Sequence, residues 1–133
     1  IIMKAINIYL SENAVVDAQE GKLSLINIVD NISSISYPLF LPTLAITCVT
    51  EKDSVTDDFE CIIKCNLNES EIQKFPFKFS FRGSNRARTI LKINGFIFPS
   101  PGIYKFNLCL NDKTLISSII DARLKENIIT KDV

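Results

Sequence analysis

From Phe98 to Leu110 the chain runs Phe98-Pro99-Ser100-Pro101-Gly102-Ile103-Tyr104-Lys105-Phe106-Asn107-Leu108-Cys109-Leu110, and this stretch narrows the possible folds more than any other. Pro101-Gly102 is a strong turn signal, because proline presets one turn dihedral and glycine tolerates a positive φ at the next position. Tyr104, Phe106, Leu108 and Leu110 then alternate with Lys105, Asn107 and Cys109, the period of a half-buried strand. A sharp turn followed by period-two alternation specifies an antiparallel sheet. It does not specify a reaction.

The same pattern recurs along the chain. Lys4 to Leu10 alternates loosely, Asp17-Ala18-Gln19-Glu20-Gly21 is a turn, and Lys22 to Val29 follows as a strand that ends at Asp30-Asn31. Thr43 to Thr50 is a β-branched strand with the composition of one buried on both faces. Phe59, Cys61, Ile63, Cys65 and Leu67 share one face, and Asn68-Glu69-Ser70-Glu71 turns the chain. Phe75, Phe77, Phe79 and Phe81 then alternate with Pro76, Lys78, Ser80 and Arg82. Pro76 marks that strand as an edge or bulged one. Gly83-Ser84-Asn85 turns again, Thr89, Leu91 and Ile93 lead to Gly95, and Asn111-Asp112-Lys113 leads into a last strand over Thr114 to Leu124. Tyr37-Pro38-Leu39-Phe40-Leu41-Pro42, bracketed by prolines, is expected to cross over the end of the core outside any ladder, with a trans bond before Pro38.

No stretch has helical periodicity beyond two turns. Eight or nine short strands with turn signals about every 8–12 residues imply an all-β, single antiparallel β-sandwich of immunoglobulin-like or C2-like architecture. Tyr104, just after a proline-glycine turn at a strand start, occupies the place of a tyrosine corner, whose hydroxyl bonds a nearby backbone group. The 133 residues suit one domain, 1–133, in which Ile1-Ile2 is a remnant before a start at Met3 and residues 125–133 form a frayed tail.

Composition removes several functions. Lys plus Arg equals Asp plus Glu, 15 against 15, which disfavours a nucleic-acid partner held by counterion release. No apolar run approaches the roughly 20 residues needed to span a bilayer, and the first residues lack the apolar core of a signal peptide, so the expected location is cytoplasmic with no membrane partner. Histidine is absent altogether, which removes the commonest general base and with it the serine–histidine and cysteine–histidine pairs. The acids scatter over loops and no glycine-rich phosphate loop exists. The chain is therefore expected not to be an enzyme, with no catalytic residue and no cofactor.

The four cysteines, Cys48, Cys61, Cys65 and Cys109, all fall within strands. Cys61 and Cys65 lie about 13 Å apart along an extended chain, too far to form a disulfide with each other. They are expected to act as small core hydrophobes. Cys109, on the face opposite Tyr104, is the expected exposed thiol.

Two surface features remain. Arg82, Arg86 and Arg88 crowd round the turn that contains Ser84 and Asn85, and arginine forks suit carboxylate, phosphate and protein hot spots. These five residues are the candidate partner-binding site. The alternative is an acidic loop, Asp53 to Asp58, that binds calcium or a small ligand through Asp53, Asp57 and Asp58, although calcium wants six to eight oxygens. No metal ligand is assigned. The balance favours a non-catalytic interaction module that binds a protein partner or itself as a homo-oligomer, through the Phe75–Phe81 edge strand and the adjacent arginine turn.

Asp17-Ala18-Gln19-Glu20-Gly21-Lys22-Leu23-Ser24-Leu25-Ile26-Asn27-Ile28-Val29-Asp30 resembles a stretch of a family of small uncharacterised bacterial proteins. Gly95-Phe96-Ile97-Phe98-Pro99-Ser100-Pro101-Gly102-Ile103-Tyr104-Lys105-Phe106 is similar to that family's second block. The resemblance implies a single β-sandwich of unknown function and transfers no catalytic residue or ligand.

Overall fold

A computed structural model describes residues 3–126; the expectations for Ile1, Ile2 and residues 127–133 lie outside the described residues. The described residues form nine strands and no helix. They are β1 (Met3–Val16), β2 (Leu23–Ile28), β3 (Asn31–Ser34), β4 (Leu39–Lys52), β5 (Asp58–Leu67), β6 (Ser70–Ser80), β7 (Arg86–Phe98), β8 (Gly102–Leu110) and β9 (Lys113–Leu124). A four-stranded sheet, in the order β2-β1-β4-β7, packs on a five-stranded sheet, β3-β9-β8-β5-β6. The architecture is an all-β, immunoglobulin-like sandwich. Its pairings are antiparallel except β3 with β9, which run parallel.

The alternating residues meet between the sheets. Leu10, Leu44 and Ile46 from one sheet and Ile63, Phe106, Leu108 and Ile120 from the other are 0–2% exposed. Phe96, Phe98 and Tyr104 close one end, with ring centroids 4.8 Å apart for the two phenylalanines and 4.9 Å for Phe98 and Tyr104. The tyrosine corner is present. The Tyr104 hydroxyl donates to the Ser100 carbonyl at 2.5 Å and accepts from the Ser100 N–H at 3.2 Å. A fully buried phenol is thereby satisfied as both donor and acceptor, and the turn is tied to the strand that leaves it.

Leu39–Pro42 is no crossover. It is the first part of β4 and pairs with the end of β7, and the bond before Pro38 is cis. Pro42 falls opposite Gly95, between the pairs Leu41–Phe96 and Thr43–Asn94. Gly95 holds φ at +85°, and a Cβ there would meet the Phe40 ring at 3.2 Å, so the position needs glycine on both counts. Around this point both strands exchange faces. On β4 the core-facing set passes from Leu39 and Leu41 to Leu44, Ile46 and Cys48; on β7 it passes from Leu91 and Ile93 to Phe96 and Phe98. The proline sits at an irregularity, which is where a ladder tolerates one. Phe40 and Ile97, paired across the two strands, consequently point outward at 59% and 53% exposure.

Strand β1 bends back. Its first part pairs with β4 as far as Ser11–Ala45, and its last part pairs only with β2. A straight run from Asn7 to Val16 would cover about 30 Å. Yet Leu23, the partner of Val16, shares a surface depression with Asn7, Tyr9, Val49 and Arg88. The β1–β2 hairpin thus lies over the outward face of the four-stranded sheet, which explains why Ala45 and Thr47 there are 0% exposed. Asn27, at φ +54°, and its hydrogen bond to the Glu12 carboxylate at 3.0 Å mark the bend on the partner strand.

All four cysteines are free and buried. Burial pushes the Cys48 and Cys65 thiols up to about 12 and Cys61 up to about 11. Cys109 corrects the expectation of an exposed thiol. It does face outward, opposite Ile62, but is only 4% exposed. A bulge between Leu108 and Cys109 brings Thr114 alongside, and the Cys109 sulfur packs 3.6 Å from the Thr114 hydroxyl and 3.7 Å from the Asn107 carbonyl oxygen. Outward-facing and exposed are different properties when a neighbouring strand bulges over the position.

Candidate functional site

The arginine turn and the acidic loop, two separate features of the sequence, form one junction. The turn carries the chain from the edge of the five-stranded sheet, β6, to the edge of the four-stranded sheet, β7. Asp57 holds it from the neighbouring loop. Its carboxylate accepts from the Lys52 ammonium, the two forming a short ion pair, and from the Gly83 N–H at 3.0 Å. The Asp57 carbonyl accepts from the Phe81 N–H at 3.0 Å, and the Asn85 carbonyl accepts from the Lys52 N–H at 3.0 Å. The Lys52 side chain is 5% exposed, and its ammonium lies 5.6 Å from the centre of the Phe81 ring. The hydrogen bond from Lys52, with help from the Gly83 N–H, holds the Asp57 carboxyl below the usual carboxylate range.

The candidate residues divide accordingly. Arg86 donates to the Glu51 carboxylate at 2.8 Å, and Arg88 donates to the Gly21 carbonyl at 2.6 Å, pinning the tip of the β1–β2 hairpin. Ser84 closes the turn through its N–H to the Phe81 carbonyl at 3.0 Å, and its hydroxyl accepts from the Arg86 N–H at 3.3 Å. Asn85 contributes its backbone carbonyl to Lys52. Arg82 is exposed, at φ +53°, with its N–H donated to the Ser80 hydroxyl at 3.1 Å. Its guanidinium makes no ion pair among the described residues. The five residues are close together, but of the three guanidinium groups that of Arg82 alone has no hydrogen-bond partner among the described residues.

The acidic loop gathers no metal centre. Among the described residues no group of three His, Cys, Asp or Glu side chains could hold an ion, and Asp57 is already engaged.

The phenylalanine row is an edge strand, as Pro76 implies. Strand β6 pairs with β5 from Asp58–Ser80 to Leu67–Ser70, and its other side has no neighbour among the described residues. Phe81 is buried, whereas Phe75, Phe77 and Phe79 are half-buried. The rings form a ladder, with Phe77–Phe79 and Phe79–Phe81 centroids 5.9 and 5.4 Å apart. On the outward face of this sheet a hollow of about 390 Å³ opens beside the edge, lined by Ile62, Lys64, Pro76, Lys78, Cys109 and Asp112 among others. Sequence reasoning missed this hollow. Part of its lining comes from Asn111 and Asp112 in the β8–β9 turn, both in left-handed conformations.

No curated protein matches the chain in sequence. Among solved structures, the chain is similar to the CARDB domain of a Pyrococcus furiosus protein, determined in complex with di-metal ions. That likeness has 6% identity over 90% of this chain and 94% of that one, at a TM-score of 0.45. It is also similar to an immunoglobulin-like protein from Pseudomonas aeruginosa, with 10% identity over 91% of this chain and 96% of that one and a TM-score of 0.40. The model of a family of unknown function, DUF6941, matches residues 8–121, a span that includes both sequence blocks, the tyrosine corner and the β6 edge. The chain belongs to that family.

Proposed function

We propose that this sandwich is a non-catalytic interaction module that takes an extended segment of a partner onto the free edge of β6. The observation that carries the reading is that edge. Among the described residues the eleven of Ser70–Ser80 pair on one side only, and their half-buried phenylalanines pack on the core beside the open edge. Unpaired strand edges recruit extended chains through backbone hydrogen bonds, while alternate side chains supply specificity. Arg82 stands at the end of the edge to receive a carboxylate, and Ser84, Asn85, Arg86 and Arg88 keep the turn in place. The absence of histidine supports a role without catalysis. Four unpaired thiols suit a reducing compartment, the cytoplasm, and one core shared by both sheets suits a single domain.

Affinity capture from cell extract, followed by amide hydrogen exchange on the purified complex, tests the reading. A partner that slows exchange along Ser70–Ser80 supports it. A partner that leaves those amides unchanged, and is lost with Arg82→Glu, moves the interaction to the turn and ends the edge version.

A further inference from the structure

We propose that the segment taken up by β6 is acidic: an extended stretch of another protein that alternates carboxylate with apolar side chains. This deepens the edge-strand reading and rests on it. Beyond its bulge the outward row of β6 is Lys74, Pro76, Lys78 and Ser80, two cations and no acid, and before the bulge Glu71 stands opposite Asn66 on the same face. Lys74 stands directly opposite Lys64 across the β5–β6 pair. Like charges placed so are destabilising. Lys64 has Asp112 at 4.0 Å, but Lys74 makes no ion pair among the described residues. Lys78 reaches only Glu60, at 3.8 Å with the two side chains 79% and 78% exposed, a contact of little worth in water. Beyond Ser80, Arg82 extends the same sign.

A second copy of the chain does not answer this pattern. In an antiparallel two-fold pairing of β6 with itself, opposed residues share a face. Registers centred on residues 74, 76 or 78 set lysine against lysine, and registers centred on 75 or 77 set a lysine against Pro76. Only the register centred on 75 brings an acid, setting Glu71 past the bulge against Lys78, and it leaves Lys74 against Pro76. Proline and lysine on an edge are also the usual guards against self-association. An acidic strand passes the guard, because its carboxylates meet Lys74 and Lys78 and relieve the opposition to Lys64. The hollow beside Pro76 leaves room on the same face for one of its apolar side chains.

The test uses the whole chain and synthetic probes. A peptide of about ten residues alternating valine and glutamate should bind and slow amide exchange along β6, whereas one alternating valine and lysine should not. The double variant Lys74→Glu, Lys78→Glu, altered only at exposed side chains, should lose the acidic peptide by about ten-fold and gain the basic one. Equal binding of both peptides by the unaltered protein overturns the acidic partner and leaves the edge reading standing. Failure of both peptides to protect β6 overturns the two together. A thymidine oligonucleotide that binds in place of the peptides, and is lost in the double variant, assigns the basic row to nucleic acid and overturns the proposal as well.

Discussion

The two sheets of this sandwich treat their outward faces in opposite ways. The β1–β2 hairpin folds over the four-stranded sheet, so that Ser11, Ala45 and Thr47 are 0% exposed although they point away from the core. Among the described residues the five-stranded sheet has no such cover: its outward face carries lysines, Glu60 and an open hollow, and the outer edge of β6 has no neighbour. Burial on both faces makes the first sheet a scaffold. The second leaves side chains such as Lys105 and Ile119 in solvent.

Substitutions can break this contrast. The largest effect is expected from Ala45→Glu, which forces a charge beneath the hairpin and should cost about 4 kcal/mol or unfold the protein. Lys105→Glu, on the bare face, should stay within about 0.5 kcal/mol in the same denaturant titration. Equal losses would mean that the hairpin does not seal the first sheet. Next is Thr47→Val. The Thr47 hydroxyl is buried without a hydrogen-bond partner, and removing it should stabilise the protein by about 1 kcal/mol in thermal unfolding. A loss would reveal a polar partner under the hairpin.

Smaller effects sharpen the contrast. Arg88→Ala removes the bond to Gly21, so hydrogen exchange should quicken over Ala14–Leu25 while global unfolding moves little. Faster exchange throughout the sheet would make that bond part of the fold itself. The Cys109 thiol should resist alkylation at neutral pH despite facing the hollow, in contrast to an exposed cysteine; rapid labelling would show that the bulge over it opens. The smallest effect is the pH dependence of the junction. The folded-state pKa of Asp57 is depressed, chiefly by the Lys52 hydrogen bond. The stability it adds is present above the unfolded carboxylate value and is lost as pH falls through the folded one. Asp57→Asn should flatten that part of the acid-unfolding profile, and an unchanged profile would show the ion pair to be idle.

What the sequence disclosed follows the range of the interactions. The Pro101-Gly102 turn, the Tyr104 hydroxyl bond and the edge character of the Pro76 strand are local chemistry, legible within a few residues. Strand β3 was not legible: Asn31-Ile32-Ser33-Ser34 has no strong alternation, and its place is set by Asp121 to Leu124. The face exchange at Pro42 needs Gly95 opposite, so Pro42 alone suggested a crossover. The crowding of arginines is visible in the sequence, but the partners that occupy Arg86 and Arg88, Glu51 and Gly21, are 35 and 67 residues away. A separation of 26 residues likewise hid the joining of Asp57 to Gly83.

The parallel seam between β3 and β9 also fixes an order of events in time. Asn31 meets Asp121, Ser34 meets Leu124, and the Lys125 N–H donates to the Ser34 carbonyl at 2.7 Å. Residues made early in synthesis thus wait for residues made about 90 positions later, some 5–20 s at ordinary elongation rates. Through that interval β3 has no ladder to join.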